Sequence, residues 1–157
     1  MNSFEIMEYW AKGISADAEL SAWVGRTFDR PLTIYLGFDD VGRFGEENTP
    51  YLAMAPTGEE LGPDRDILSL SVMLMFGLKL DDAPTGAGGI VAEPSMEVME
   101  KEFSPRVLEA IARLSPDLAP GTGEGRTYPP RNGYCERDFI VTLSVPNTIN
   151  LKREPWR

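Results

Sequence analysis

The residue types present limit the chemistry that this chain can perform. The sequence has no histidine and only one cysteine, Cys135, among its 157 residues. It therefore lacks the parts of a histidine-based catalytic triad, a His-ligated zinc site, an intrachain disulfide and a Cys-x-x-Cys redox pair. No histidine is present to activate Cys135, and the neighbouring Glu136 disfavours a thiolate. We therefore expect Cys135 to be a packing residue.

Carboxylates are the remaining candidates for chemistry. Close pairs of aspartates occur at Asp39 and Asp40, at Asp64 and Asp66, and at Asp81 and Asp82. All three pairs lie in turn-like contexts, where Asp is favoured for hydrogen bonds to its own backbone, and none has the spacing of a calcium-binding loop. A small hydrolase that uses two carboxylates alone stays an alternative, because reading cannot pick one pair from 25 acidic residues.

A glycine-rich stretch at 121–125 also suggests a ligand at first sight. It has no strand before it and no Gly-Lys-Ser/Thr after it, so it matches neither a dinucleotide fingerprint nor a phosphate-binding loop. Its composition is typical of a flexible loop. Taken together, these observations predict no enzymatic activity, no cofactor and no metal.

Charge is distributed unevenly along the chain. The net charge is −10, yet residues 126–157 contain six of the 15 Lys and Arg side chains and only three of the 25 acidic ones. An acidic surface repels the nucleic-acid backbone, so we expect no specific DNA or RNA binding over most of the protein. The basic C-terminal segment can contact phosphate, and it can equally contact the acidic surface of a neighbouring copy, since arginine pairs with carboxylates bidentately.

Two segments have the hydrophobic spacing of helices. The first spans 4–28 and is predicted to be one helix broken near Gly13, or two short helices. The second spans 95–114, where Ser104-Pro105 predicts that the helix stops and restarts, or kinks. There is no apolar run long enough to span a membrane and no recognisable signal peptide, so we expect a reducing intracellular environment and no membrane partner.

Four segments have the features of β-strands. Alternating apolar and polar residues predict strands over 32–38, 67–79 and 139–151, and two prolines bound a short strand over 51–55. The element order α-β-β-β-α-β predicts a single α+β domain over 1–157. We expect a two-layer sandwich, with a mainly antiparallel sheet of about four strands and two helical segments on one face.

Three parts of this layout are candidates for contacts between subunits. The 67–79 strand would span about 40 Å, roughly twice a common strand length, and its two-sided apolar end contains Met73 and Met75. A long loop is predicted at 115–133 and a basic C-terminal tail at 152–157. The predicted interface residues in and around these two segments are Arg126, Tyr128, Arg131, Arg137 and the terminal anchor Trp156.

The succession of segments resembles a known family. A helical segment and a strand precede a strand with the sequence TPYLAMAP. A charged loop, a long ILSLSVMLMFGL strand, a helix and a closing RDFIVTLSVPNTI strand then follow. This layout, over residues 4–151, is similar to that of the tail terminator and tail-completion proteins of long-tailed bacteriophages. Its most specific part runs from Pro50 through Pro56 into the long strand.

The resemblance implies a structural virion protein assembled in the host cytoplasm and located in the tail or neck. Such subunits form a homohexameric ring that caps the tail tube, stops its polymerisation and joins the head–tail connector. The implied partners are further copies of the chain, the tail tube protein and the connector protein, while DNA passes through the lumen without specific binding. The alternatives are another neck, connector or sheath-terminating ring subunit and, in a different class, a monomeric ligand-binding accessory domain.

Overall fold

A computed structural model describes residues 2–37, 45–62, 67–115 and 123–146 of the chain. The fold is α+β, as predicted, but the main sheet has five strands in the order β1-β2-β3-β7-β6, and a separate two-stranded sheet pairs β4 with β5. The elements are α1 (Ser3–Ala16), α2 (Ala18–Phe28), β1 (Thr33–Leu36), β2 (Tyr51–Leu61), β3 (Ile67–Lys79), β4 (Thr85–Ala87), β5 (Ile90–Ala92), α3 (Pro94–Val98), α4 (Ser104–Leu114), β6 (Glu124–Thr127) and β7 (Tyr134–Pro146).

The break in the N-terminal helical segment lies at Asp17 and not at Gly13. Asp17 caps α2 by accepting a hydrogen bond from the Leu20 amide at 3.0 Å, and its other oxygen accepts one from Arg113 at 2.9 Å. The Leu20 hydrogen bond, with help from Arg113, lowers the pKa of the Asp17 carboxyl. Gly13 lies inside α1, where a Cβ would come within 2.5 Å of the Leu114 side chain. This glycine therefore allows α1 and α4 to approach closely.

The second helical segment continues through Pro105. A π-helical turn at Met99–Phe103 joins α3 to α4, so the helical segment does not stop. Its α-helical part begins again at Ser104, with Pro105 in the first turn. A proline inside a helix removes one backbone hydrogen bond and clashes with the preceding turn. The wider π turn immediately before Ser104-Pro105 provides room for the proline ring.

The sheet is mixed because β1 pairs parallel to β2, with Thr33 opposite Tyr51. The expectation that neighbouring strands would be antiparallel is wrong here. Fourteen residues separate β1 from β2 in the sequence, and a connection of a dozen or more residues is long enough to join parallel strands. The predicted short strand at 51–55 continues to Leu61, and β6 lies within the predicted loop at 115–133. The remaining strand pairs are antiparallel.

The helices cover one face of the sheet and bury the main core there. Trp10, Phe76 and Phe103 are completely buried in it, and the Trp10 ring nitrogen donates to the Ser115 hydroxyl at 2.9 Å. Each large apolar side chain that is removed from water contributes roughly 1.5–3 kcal/mol. No helix within the described ranges is long and apolar enough to cross a membrane.

The opposite face of the sheet has its own small cluster. Tyr51, Ala53, Ala55 and Met75 are buried there, with half-buried Tyr35, Met73 and Tyr134 packed against them. All of these residues belong to strands. In the described part of the chain, this open face is therefore stabilised by its own side chains and not by a helical layer.

We predict that Gly77→Ala lowers the free energy of unfolding by about 1–3 kcal/mol. A Cβ at Gly77 would lie 2.2 Å from the Tyr51 ring, which packs across the open face. Gly58→Ala is the matched control, because a Cβ in β2 at Gly58 meets nothing within 4 Å, and we expect it to change stability by less than about 0.5 kcal/mol. Urea unfolding of the three proteins measures both effects. Equal stabilities would contradict the packing of Tyr51 on Gly77.

Candidate functional site

The β4–β5 hairpin is the most exposed apolar feature of the described residues. Ala87 and Ile90 pair across a two-residue turn, Gly88-Gly89, and both glycines have the positive φ that such a tight turn requires. Ile90 is 75% exposed and Val91 is 73% exposed. The hairpin has no charged residue between Thr85 and Ala92. An uncharged arm with two exposed β-branched side chains is a feature of contact surfaces.

The open face of the sheet carries a connected set of tyrosines and carboxylates at the β6–β7 side. The Tyr51 and Tyr134 hydroxyls are 2.8 Å apart and share a hydrogen bond. The Tyr128 hydroxyl donates to Asp138 Oδ2 at 2.7 Å, and the Arg126 guanidinium lies 4.9 Å from the centre of the Tyr128 ring. These contacts hold three aromatic rings in fixed positions.

The ionisation of these groups follows from their surroundings. Burial raises the pKa of Tyr51 to about 12, and burial with the hydrogen bond to Tyr51 raises that of Tyr134 further. The hydrogen bond to the Asp138 carboxylate raises the pKa of Tyr128. The tyrosines are therefore neutral at physiological pH. They offer rings and hydroxyl groups, and the charged side chains beside them include those of Arg126, Arg131, Glu136 and Asp138.

A groove of about 580 Å³ lies beside this set of tyrosines. Its lining residues are Tyr128, Pro129, Pro130, Arg131, Tyr134 and Glu136. A tight turn positions its rim, because Asn132 and Gly133 both have positive φ and the Gly133 carbonyl accepts from the Leu80 amide at 3.0 Å. The volume lies within the range of ligand and side-chain pockets. We call this feature the tyrosine–proline groove.

Arg137 has an intramolecular role. Its side chain donates to Ser104 Oγ at 3.1 Å, to Thr127 Oγ1 at 2.7 Å and to Glu100 Oε1 at 3.3 Å. The Thr127 hydroxyl also bonds to Glu100. This network connects β6 and β7 to the helical layer, so in one subunit the Arg137 guanidinium is already paired.

The other predicted interface residues divide into three groups. Met75 has no exposed surface and Met73 is half-buried, so the two-sided apolar end expected there is not exposed. Tyr128 and Arg131 line the tyrosine–proline groove, and Arg126 lies beside it against the Tyr128 ring, with both arginines exposed. Trp156 and the tail at 152–157 lie outside the described residues.

Sequence reasoning missed the hairpin and the partners that complete the groove. The Gly88-Gly89 pair before Ile90 and Val91 is a hairpin signal, but none of the four predicted strands includes this segment. Tyr134 and Glu136 are placed at the groove by the register of β7, which begins five residues earlier than the predicted strand.

The acidic pairs do not form a recognisable ion site within the described ranges. No group of three or more metal-ligating side chains is found there. Asp81 lines a second groove of about 400 Å³, where Lys79 pairs with Glu46 at 3.5 Å and with Asp81 at 3.8 Å. The pairs at Asp39 and Asp40, and at Asp64 and Asp66, lie outside the described residues.

Comparison with known proteins found no match, either to a family model or to a curated protein sequence.

We predict that the Cys135 thiol does not react with Ellman's reagent in the folded protein at pH 8. The thiol is completely buried, and burial, with smaller effects from Glu100 and Glu136, raises its pKa to about 12. Adding denaturant should release one equivalent of reactive thiol. Rapid reaction of the folded protein would contradict this placement.

The same pKa difference makes stability depend on alkaline pH. The unfolded thiol ionises near its ordinary pKa of 9.0, while the folded one stays protonated up to about 12. The protonated thiol therefore makes its full contribution to the free energy of unfolding below pH 9, and this contribution is lost as the pH rises toward 12. Tyr51 adds to the loss above pH 10. Chemical unfolding of the parent and of Cys135→Ala at several pH values measures the free energy of unfolding. We expect it to fall less at alkaline pH in the variant than in the parent.

We predict that Arg137→Met lowers the free energy of unfolding by about 1–3 kcal/mol, because Ser104, Thr127 and Glu100 lose their shared partner. Arg126→Met is the matched control, since Arg126 is exposed and stacks on a single ring, and we expect it to cost less than about 0.5 kcal/mol. Thermal unfolding compares the two variants. A larger loss for Arg126→Met would contradict the role given to Arg137.

Proposed function

We propose that this protein is a phage tail terminator, a structural subunit whose homohexameric ring caps the tail tube, stops its polymerisation and joins the tail to the head connector. The observation that carries the proposal is the uncharged β4–β5 hairpin, which presents Ile90 and Val91 to solvent. Two exposed β-branched side chains in the hairpin do not stabilise an isolated subunit, whereas a neighbouring subunit can bury them.

A ring also requires two different surfaces on each subunit, because copies that meet head to tail use unlike patches. The hairpin is one distinct patch. The open face of the sheet, with its tyrosine–proline groove, is a second and chemically different one. The structure has the long β3 strand and the covering helical layer that the proposal assumes.

The net charge fits passage of DNA through such a ring. A chain with a net charge of −10 repels a polyanion, so DNA can slide through a lumen without being held. The proposed role requires no catalytic group, cofactor or metal. The same reasoning applies to a connector or sheath-terminating ring subunit, which would share the ring and differ in its partner.

The experiment that tests the proposal is negative-stain electron microscopy of the concentrated protein, with light scattering on the same sample. The proposal predicts six-fold rings of about six times the 17.4 kDa subunit mass, in free solution or at the ends of added tail tubes. Particles that stay monomeric at high concentration, and that bind no tube end, would overturn it. They would favour the monomeric ligand-binding domain.

We predict that replacing both exposed hairpin residues, Ile90→Ser with Val91→Ser, shifts assembly to at least ten-fold higher protein concentration, without unfolding the subunit. The matched control exchanges the two side chains, Ile90→Val with Val91→Ile, and so keeps the apolar surface. Light scattering across a dilution series compares them, and circular dichroism checks the fold. Assembly that is unchanged in the serine variant would contradict the role of the hairpin.

A further inference from the structure

We propose that the tyrosine–proline groove binds the C-terminal segment of a second copy of the chain, residues 147–157, with Trp156 as the anchor. The inference rests on the proposed function in one respect, namely that copies of the chain meet in an assembly. It goes further by naming the two surfaces that meet and by giving the contact a direction.

The groove has the chemistry to hold a tryptophan next to a basic residue. Two tyrosine rings, Tyr128 and Tyr134, and two adjacent prolines provide rigid apolar walls. Aromatic side chains pack well on such surfaces while their polar edges stay hydrogen-bonded. The lining has one residue of each charge: the half-buried Glu136 carboxylate can accept from an arginine or lysine of the segment, and the exposed Arg131 can pair with Glu154, the segment's one acidic residue.

The C-terminal segment has the complementary chemistry. Residues 147–157 contain three Lys or Arg side chains and one Glu, while the whole chain has a net charge of −10. The rest of the chain therefore carries all of the acidic excess, and the segment is attracted to it. Trp156 lies between Pro155 and Arg157. Tryptophan and arginine are the side chains that contribute most often to the centres of protein interfaces.

The register of the sheet separates the segment from the groove of its own subunit. β7 pairs with β3 along its whole length, from Tyr134 opposite Lys79 to Pro146 opposite Ile67. At about 3.3 Å per residue, these ends of β7 are about 40 Å apart. The groove lies at the Tyr134 end, and the segment begins at the Pro146 end.

Folding back over that distance would take almost the whole segment. If two residues reverse the chain after Pro146, residues 149–156 remain, and eight fully extended residues span at most about 29 Å. The Trp156 backbone would then stop about 10 Å short of Tyr134, and only a fully extended segment would bring its side chain to Glu136, about 33 Å from Pro146. The segment of another copy meets no such limit, so we assign the groove to the segment of another copy.

Contacts of this kind have a direction. The acceptor groove and the point where the donor segment begins are at opposite ends of β7, so each subunit can give its segment to one neighbour and receive one from the other. Such head-to-tail contacts produce a closed ring or an open filament, according to the rotation between copies. The proposed contact of the β4–β5 hairpin and the proposed contact of the C-terminal segment use different residues. A substitution can therefore remove one contact and leave the other in place.

The test uses a fluorescently labelled peptide with the sequence of residues 147–157 and the full-length protein, diluted below the concentration at which it assembles. Fluorescence anisotropy measures binding. We expect saturable binding that weakens at least ten-fold when the peptide carries Trp156→Ala, and at least ten-fold when the protein carries Glu136→Lys. Glu124→Lys is the matched control, an exposed acidic residue of β6 outside the groove lining, and we expect less than a two-fold change.

Because Glu136 contacts Tyr134, Glu136→Gln provides a milder second variant, and thermal unfolding checks that both variants fold. Absence of peptide binding, or equal binding by the Glu136 and Glu124 variants, would overturn the inference. Full-length Trp156→Ala protein separates the two proposals. Rings that form normally in this variant would overturn the inference and leave the proposed function standing. Specific peptide binding by a protein that never forms rings would support the inference and overturn the proposed function.

Discussion

The antiparallel pairing of β3 with β7 over 13 consecutive residue pairs is the constraint on which the rest of the structure depends. Because side chains alternate across a strand, this register sends Cys135, Val141 and Leu143 into the core under the helices and sends Tyr134, Glu136 and Asp138 to the open face. A slip of one residue would exchange the two sets and expose the core. The same pairing fixes the distance between the tyrosine–proline groove and the start of the C-terminal segment.

The two faces of the sheet are stabilised in different ways. The helical face is a large apolar core, closed at its edge by the Arg137 network to Glu100 and Ser104. The open face depends on the Tyr51 ring lying over Gly77 and on hydrogen bonds between tyrosine hydroxyls and their neighbours. Aromatic rings that also carry polar groups tolerate both water and a protein partner. The open face is therefore stable in a single subunit and remains available for contact.

Periodicity predicted the elements better than their pairing. The apolar alternation in ILSLSVMLMFGLK fixed β3 to its exact bounds, and the core positions of the last helix followed from its spacing. The parallel pairing of β1 did not follow, because no local pattern in the sequence gives the relative direction of two strands that are 14 residues apart. The exposure of Met75 was misjudged for a related reason. Its burial is provided by Tyr51, Tyr134 and other side chains that only the tertiary fold brings together.

The candidate site was partly predictable. Tyr128 and Arg131 of the predicted long loop line the groove, and Arg126 stacks on Tyr128 beside it. Loop residues with aromatic and basic side chains often serve contacts. Arg137 was assigned to the same surface, but its side chain points to the opposite face of β7 and pairs with the helical layer. Successive residues of a strand face opposite sides of the sheet. When Arg137 is assigned to the surroundings of a loop and the start of the strand is unknown, the side that its side chain faces is not defined. Residues 134–138 required the register before their faces were defined.

The central claim is that the β4–β5 hairpin and the tyrosine–proline groove are surfaces that become covered when copies of this chain assemble. Hydrogen–deuterium exchange of the intact protein, compared at dilute and concentrated conditions, tests it most directly. The account predicts slower exchange at high concentration in peptides covering residues 85–92 and 128–136, with unchanged exchange in α1 and α2. Identical exchange at both concentrations, or protection confined to the helical layer, would contradict it.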